Sequence, residues 1–314
     1  MNIKMTILML GISLSACSHI QPSQTNSEDY LSIFGNRYFN IERGQGSPIV
    51  VLHGLPDHSL NQQRLIDGLS TSHQVFAYDR LGMGQSDKPK RNYDIPEQTR
   101  DLEAILSFKH FEKPVLLGHS VGGTLAVHYA ATHPEKVSAL VLMNPVLIFE
   151  PGHTGLRDFN TWLMKQPLIG EAIMAMQSRS VTKAVLKHMF YDKTKVTEQV
   201  VDSYYFPFQE RGAKRHFLGT LRSLYDLGAD VFVSDADKIG NLGIPVLLVW
   251  TANDPDMPLG DAQVLAKRFG AKLILIQECG HVPQIELADD RLRREIVIPV
   301  QEFLDEVKVS EKGG

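Results

Sequence analysis

A serine with a glycine two residues away on each side, set between an apolar run and a helical pattern, narrows the folds open to this chain more than any other stretch. The segment is Lys113-Pro114-Val115-Leu116-Leu117-Gly118-His119-Ser120-Val121-Gly122-Gly123. Val115, Leu116 and Leu117 form the short continuous apolar run of a parallel strand covered on both faces. Over residues 124–133 the pattern turns helical, with Leu125, Ala126, Tyr129 and Ala130 on one face. Gly118-x-Ser120-x-Gly122 therefore predicts a sharp strand-to-helix turn, whose flanking positions must be nearly free of side chain so that strand and helix can approach. Such a turn strains the serine backbone and lifts its hydroxyl clear of the main chain. It also aims the first amides of the new helix, Val121 N–H among them, at whatever Ser120 attacks. Ser120 is a candidate nucleophile, on condition that a base and an acid follow downstream.

The chain has 314 residues, 43% hydrophobic and 22% charged, which is ample for a large core. Its net charge of −4 comes from 32 basic and 36 acidic residues with no long run of either sign, so nucleic acid is not an expected partner. No C-x-x-C or H-E-x-x-H pattern occurs, and no G-x-G-x-x-G follows a strand; neither a metal nor a cofactor is expected. Cys17 and Cys279 are the two cysteines, too few for a disulfide framework.

Residues 1–16 read as a signal peptide: a basic Lys4, then the apolar Met5-Thr6-Ile7-Leu8-Met9-Leu10-Gly11-Ile12, too short to span a membrane. They close on Leu14-Ser15-Ala16-Cys17, which resembles the bacterial lipobox, in which the cysteine is acylated and becomes the mature N-terminus. Acyl chains on Cys17 would anchor the chain stably. Ser18 resembles the outer-membrane sorting pattern, so a cell-envelope lipoprotein with a membrane partner is expected. The polar residues 17–29 then serve as a tether.

Beyond the tether, Leu31-Ser32-Ile33-Phe34 and residues 37–41 predict a hairpin around Gly35-Asn36. Pro48-Ile49-Val50-Val51-Leu52 is a buried strand that ends at His53-Gly54-Leu55-Pro56, and Ser59-x-x-Gln62 has capping-box spacing for a helix through Leu69. Asp57 and His58 read as loop polar groups. Val75-Phe76-Ala77-Tyr78-Asp79 is a strand, and Arg80-Leu81-Gly82-Met83-Gly84-Gln85-Ser86-Asp87 a structured turn without the Gly-Lys-Ser/Thr ending of a phosphate loop. Helices and strands alternate through Asn144-Pro145. Residues 146–238 break the rhythm with helical patterns alone. It resumes at Pro245-Val246-Leu247-Leu248-Val249-Trp250 and runs through a last strand, Leu273-Ile274-Leu275-Ile276, to a C-terminal helix. The expected fold class is α/β, a mainly parallel sheet flanked by helices. Residues 30–145 and 239–310 form its core, and 146–238 an inserted helical cap over the carboxyl end of the sheet.

At this point the chain resembles the α/β-hydrolase superfamily over roughly residues 30–308. The residues that carry the resemblance are His53-Gly54-x-Pro56, Asp79-Arg80-x-Gly82-x-Gly84-x-Ser86-Asp87, Gly118-His119-Ser120-Val121-Gly122-Gly123, Asn253-Asp254-Pro255 and Gly280-His281. Layout and cap look most like the haloalkane dehalogenase and epoxide hydrolase branch, whose nucleophile is Asp where this chain has Ser120. Dehalogenases also place Trp after the nucleophile and usually Asn after His-Gly; Val121 and Leu55 stand there instead, which disfavours dehalogenation.

A triad in the order Ser, Asp, His requires an acid after a late strand and a histidine near the end. Asp254 follows the strand ending at Trp250; Asp256 competes, and the Asn-Asp-Pro match favours Asp254. His281 lies in the loop after the last strand. In this reading His281 takes the Ser120 proton, Asp254 fixes the tautomer, and the N–H groups of Leu55 and Val121 form the oxyanion hole. Cys279 beside His281 is given a packing role. The cap carries many apolar residues, most of them expected to form its own core; Trp162 and Met174 are the candidates for lining a substrate pocket. The expected activity is hydrolysis of a carboxylic ester or lactone by a serine hydrolase without cofactor. Amidase, carbon–carbon bond hydrolase and cofactor-free haloperoxidase use the same triad, and a non-catalytic surface binding module is the rival from another class.

Overall fold

The computed structural model describes residues 29–147 and 163–313. The signal peptide, Cys17 and Trp162 lie outside the described residues. Eight strands form one sheet: β1 (Tyr30–Ile33), β2 (Asn36–Arg43), β3 (Pro48–Leu52), β4 (Gln74–Tyr78), β5 (Val115–His119), β6 (Ala139–Met143), β7 (Val246–Thr251) and β8 (Lys272–Ile276). Their order is β1-β2-β4-β3-β5-β6-β7-β8. β1 and β2 form the expected hairpin, Ile33 pairing with Asn36 across Phe34 (φ 51°) and Gly35 (φ 76°), the positive-φ turn whose twist suits a hairpin. β2 joins β4 antiparallel, and the other pairs are parallel.

Side chains alternate between two cores. Val50, Leu52, Leu116, Leu140, Leu142, Leu248 and Trp250 face one layer of helices. Ile49, Val51, Leu117, Val141, Leu247 and Val249 face the other. The first layer holds α2 (Ile95–Phe108) and α3 (Val121–Thr132); the second holds α1 (Gln63–Leu69) and the C-terminal helix (Ile298–Gly313). Asp94 caps α2 by accepting from Glu97 N at 2.7 Å.

Two local readings change. The helix after β3 begins as a 3₁₀ turn, Ser59–Gln62, and Ser59 does not cap it. Instead Ser59 gives both its N–H (2.6 Å) and its hydroxyl (2.7 Å) to the buried Asp79 carboxylate. α3 starts at Val121, directly after Ser120, rather than at Thr124. The cap comprises α4 (Ile169–Ala175), α5 (Arg179–Met189), α6 (Glu198–Gln209) and the first arm of α7 (Ala213–Leu242), which breaks at Gly228 (φ 75°, ψ 165°). Beyond that break Phe232, Ala236 and Ile239 enter the sheet core, and Asp235 meets His128 of α3 at 2.8 Å. Leu224, before the break, belongs to the same core, so α7 packs on the sheet core from both sides of Gly228.

In register, Leu52 lies opposite Gly118 and His119 opposite Met143. The loops leaving β3, β5 and β6 thus open at one level on the carboxyl edge, where the strand order reverses and ligands gather in such sheets.

Candidate active site

Ser120 holds φ 54° and ψ −124°, outside the wells an L-residue prefers. Its N–H donates to Met143 O at 3.0 Å, and its carbonyl accepts from Gly123 N (2.9 Å) and Val146 N (3.1 Å). A Cβ on Gly118 would strike the backbone of Gly122 and Gly123, and one on Gly122 would strike the carbonyl of Leu52. Both glycines are required by this close approach, as the turn predicts.

His281 Nε2 lies 3.0 Å from Ser120 Oγ, and His281 Nδ1 lies 2.6 Å from Asp254 Oδ2. The imidazole is 6% exposed and the Asp254 side chain 0%, so water does not compete for this contact. The other Asp254 oxygen accepts from Asp256 N (2.9 Å) and Met257 N (3.0 Å), which leaves Oδ2 for the ring. A carboxylate at Nδ1 holds the proton there and turns the lone pair of Nε2 to the serine hydroxyl. Asp256, the competitor, faces His188 at 3.5 Å.

A second set of contacts fixes the histidine loop. His119 Nε2 donates to His281 O (2.8 Å), and Asn144 Nδ2 reaches the same carbonyl (3.3 Å) and Thr251 Oγ1 (2.8 Å). Burial, with the charge of His281 adding to it, lowers the His119 pKa to about 3, so this ring stays neutral. His281 N donates to Met189 O (2.7 Å), while the buried Glu286 accepts from Gly280 N (2.8 Å) and from Asp192 N of the cap (2.6 Å). A Cβ on Gly280 would overlap Met189 O, so the cap backbone rests directly on this loop. Cys279 is buried, and burial together with the Glu286 carboxylate pushes its thiol up, which suits packing rather than chemistry.

On the other side of Ser120 lies the loop after β3. A Cβ on Gly54 would sit 3.2 Å from Ser120 Cβ. Gly54 O accepts from Arg80 Nη2 (2.6 Å) and His53 Nδ1 (2.9 Å), while His53 Nε2 accepts from Arg80 N (3.0 Å). That acceptance places the His53 proton on Nδ1. Arg80 Nη1 donates to Gln98 Oε1 (2.7 Å), and burial lowers the Arg80 pKa to about 10. Leu55, at the head of this loop, packs against a cluster of Met83, Met174, Phe208, Ala213 and Leu218. Val121, the first residue of α3, has no carbonyl one turn back to donate to.

Asp57 and His58 take the loop roles expected of them: Asp57 accepts from His58 N, Asn61 and Gln62, each at 2.8 Å, and His58 Nε2 meets Ser203 O at 2.9 Å. The Asp79–Asp87 segment is a structured turn, with Gln85 N on Asp79 Oδ2 (2.7 Å) and the Ser86 hydroxyl on Asp79 O (2.6 Å). Met174 is buried and borders a cleft of about 1050 Å³ with Tyr93, Leu218, Arg222 and Leu227. Ser120, Asp254 and His281 are not in that lining.

Ser120, Asp254 and His281 are thus brought together by the fold, with Leu55 on the loop after β3 and Val121 at the start of α3 beside the serine. Sequence reasoning singled out neither Arg80 nor Glu286 for a role of its own. A lone acid among Val282, Pro283, Ile285 and Leu287 was the signal for Glu286, since a buried carboxylate needs partners. Among the described residues no group of three His, Cys, Asp or Glu is placed to hold a metal.

The chain belongs to the alpha/beta hydrolase fold family, whose sequence profile matches residues 47–288. It is similar to the cis-3-alkyl-4-alkyloxetan-2-one decarboxylase of Shewanella oneidensis, 25% identical over 295 residues, 89% of this chain and 88% of that one. It is also similar to the 2-hydroxy-6-oxo-6-(2'-aminophenyl)hexa-2,4-dienoic acid hydrolase of Metapseudomonas resinovorans, 25% identical over 284 residues, 86% of this chain and 91% of that one. Its fold matches that of a meta-cleavage product hydrolase from Pseudomonas fluorescens with a TM-score of 0.71 at 24% identity, covering 88% of this chain and 97% of the other.

Proposed function

We propose that this protein is a serine hydrolase that cleaves a carboxylic ester or lactone through an acyl-enzyme on Ser120. One observation carries the reading: the buried relay from Asp254 through His281 to Ser120, with contacts of 2.6 and 3.0 Å. His281 takes the hydroxyl proton as Ser120 attacks, and Asp254 stabilises the imidazolium. Leu55 N–H and Val121 N–H receive the oxyanion, a donor of this kind being worth about 2.7–4 kcal/mol to the transition state. The imidazolium protonates the leaving alkoxide, and a water activated by the same ring releases the acid. An oxetan-2-one is a four-membered cyclic ester, so the substrate named for the Shewanella relative belongs to the proposed class. The name of the Metapseudomonas relative's substrate contains no ester, and its hydrolysis breaks a carbon–carbon bond beside the ketone. That likeness keeps carbon–carbon hydrolysis as the second reading for the same three residues. Labelling with an active-serine phosphonate, with Ser120→Ala as control, tests the nucleophile. A panel of esters, lactones and a hydroxy-oxo-dienoic acid separates the two substrate classes, and a protein that neither labels nor turns over any of them is a binding module instead.

The sequence also supports attachment to the cell envelope through an acylated Cys17, with the hydrolase carried on the tether that follows.

A further inference from the structure

We infer that Arg80 is a positioning residue for the oxyanion hole: it fixes and polarises the Gly54–Leu55 peptide so that Leu55 N–H is presented to the carbonyl under attack. The inference rests on the hydrolase reading above and deepens it.

Both lone pairs of Gly54 O are engaged, one by Arg80 Nη2 at 2.6 Å and one by His53 Nδ1 at 2.9 Å. A trans peptide holds its C=O and N–H antiparallel in one plane, so a carbonyl anchored towards the buried Arg80 sends Leu55 N–H the opposite way. Arg80 governs the second anchor too. Its own backbone N–H occupies His53 Nε2 at 3.0 Å, which obliges the imidazole to carry its proton on Nδ1, facing Gly54 O. Burial, and after it the charge of Arg80, holds the His53 pKa far below its usual value, so this tautomer stays neutral.

The partners chosen by the guanidinium point to function rather than to fold stability. Arg91, Arg179, Arg222 and Arg291 all pair with carboxylates. Arg80 is 2% exposed, yet its two bonded nitrogens go to a peptide carbonyl and to the neutral amide of Gln98, and its Nε has no partner. Burying a cation is costly, and the buried Asp57 and Asp79 carboxylates offset that cost only through space, without a hydrogen bond to the guanidinium. What the arrangement gains is a charge-assisted hydrogen bond to one end of a peptide, which strengthens the donor at its other end. The gain is greatest when the substrate oxygen carries full negative charge, so it favours the tetrahedral intermediate over the bound ester.

The experiment measures kcat and KM of Arg80→Ala and Arg80→Lys on an ester that the wild type hydrolyses, with folding checked by circular dichroism. Arg80→Ala should lower kcat by about 10²-fold at nearly constant KM, on the order of removing one oxyanion donor. Millimolar guanidinium should restore part of that loss in Arg80→Ala and none in the wild type. Arg80→Lys, which keeps the charge and one donor, should fall between the two. If Arg80→Ala does not fold, Arg80→Lys decides alone: a lower kcat at unchanged KM supports the role, and wild-type kcat overturns it. A loss carried by KM, or one relieved neither by lysine nor by guanidinium, also overturns it. A wild type that neither turns over esters nor takes the phosphonate fails the hydrolase reading itself, whereas Arg80 variants with wild-type kcat beside an active wild type fail this inference alone.

Discussion

The backbone N–H of His281 donates to the carbonyl of Met189, 2.7 Å away at the end of a cap helix. Glu286 makes a parallel link, accepting from Gly280 beside the imidazole and from Asp192 of the cap. The position of the imidazole and the seating of the cap are therefore a single structural variable.

Glu286→Ala leaves the buried Gly280 amide without an acceptor, at a cost of about 1–3 kcal/mol, and also frees the part-buried Asp192 amide. Gly280→Ala forces a methyl into the Met189 carbonyl, at a cost of about 1–3 kcal/mol. Both variants should lower the urea midpoint and, at temperatures where they remain folded, kcat as well. A stability loss with wild-type kcat in both would mean that the cap does not set the histidine.

Ser120→Ala and His281→Ala should each lower kcat by roughly 10⁶, and the double variant little more, because the two side chains act as a unit. Near-wild-type turnover in either single variant removes the hydrolase mechanism.

Stability should fall steeply in mild acid. His53, His119 and His216 are 1%, 2% and 0% exposed, and burial holds all three pKa values down, His119 to about 3. Below about pH 6.5 the unfolded chain binds protons that the folded one refuses, so each ring removes up to about 1.36 kcal/mol per pH unit until its folded pKa is reached. Urea melts at pH 7.5 and 5 check this. His216→Phe, which keeps a ring against Tyr93 and deletes the titration, should make the fall shallower; an unchanged slope would contradict the assignment.

Met174 packs in the cluster that touches Leu55, so chain-length preference should respond to it. With the wild type, kcat/KM should climb by up to about fourfold per added CH₂, from about 0.8 kcal/mol of burial each, until the pocket is full. Met174→Gln should flatten that climb and spare acetyl esters; an unchanged profile places Met174 in the cap's own core. Trp162→Gln applies the same test outside the described residues.

Cys17→Ser should abolish fatty-acid labelling and membrane association while leaving esterase activity intact. Equal label in the mutant and the wild type would refute the lipoprotein reading.

The sheet was legible because β3, β5, β6 and β7 are short apolar runs between Gly- and Pro-marked turns, a pattern that depends on few distant contacts. Ser120 was legible because the turn that carries it admits so few side chains around it. The break at Gly228 was not legible, because residues 213–242 keep a helical pattern across it. Ser59 has the spacing of a cap, but Asp79 lies twenty residues away in sequence and claims both its donors. Arg80 and Glu286 stayed hidden for a related reason. Each acts on a peptide group, and peptide groups have no letter in a sequence.

The backbone at Ser120, with φ 54°, also limits what this position can become. A β-branched residue is a steric outlier at positive φ, so threonine is excluded there even though its hydroxyl could do the same chemistry. Serine, cysteine and aspartate each attach their reactive atom through an unbranched CH₂ and are admitted. The turn thus excludes a hydroxyl on a branched carbon while admitting one on a CH₂, and a change at this position replaces the side-chain chemistry in steps rather than by degrees.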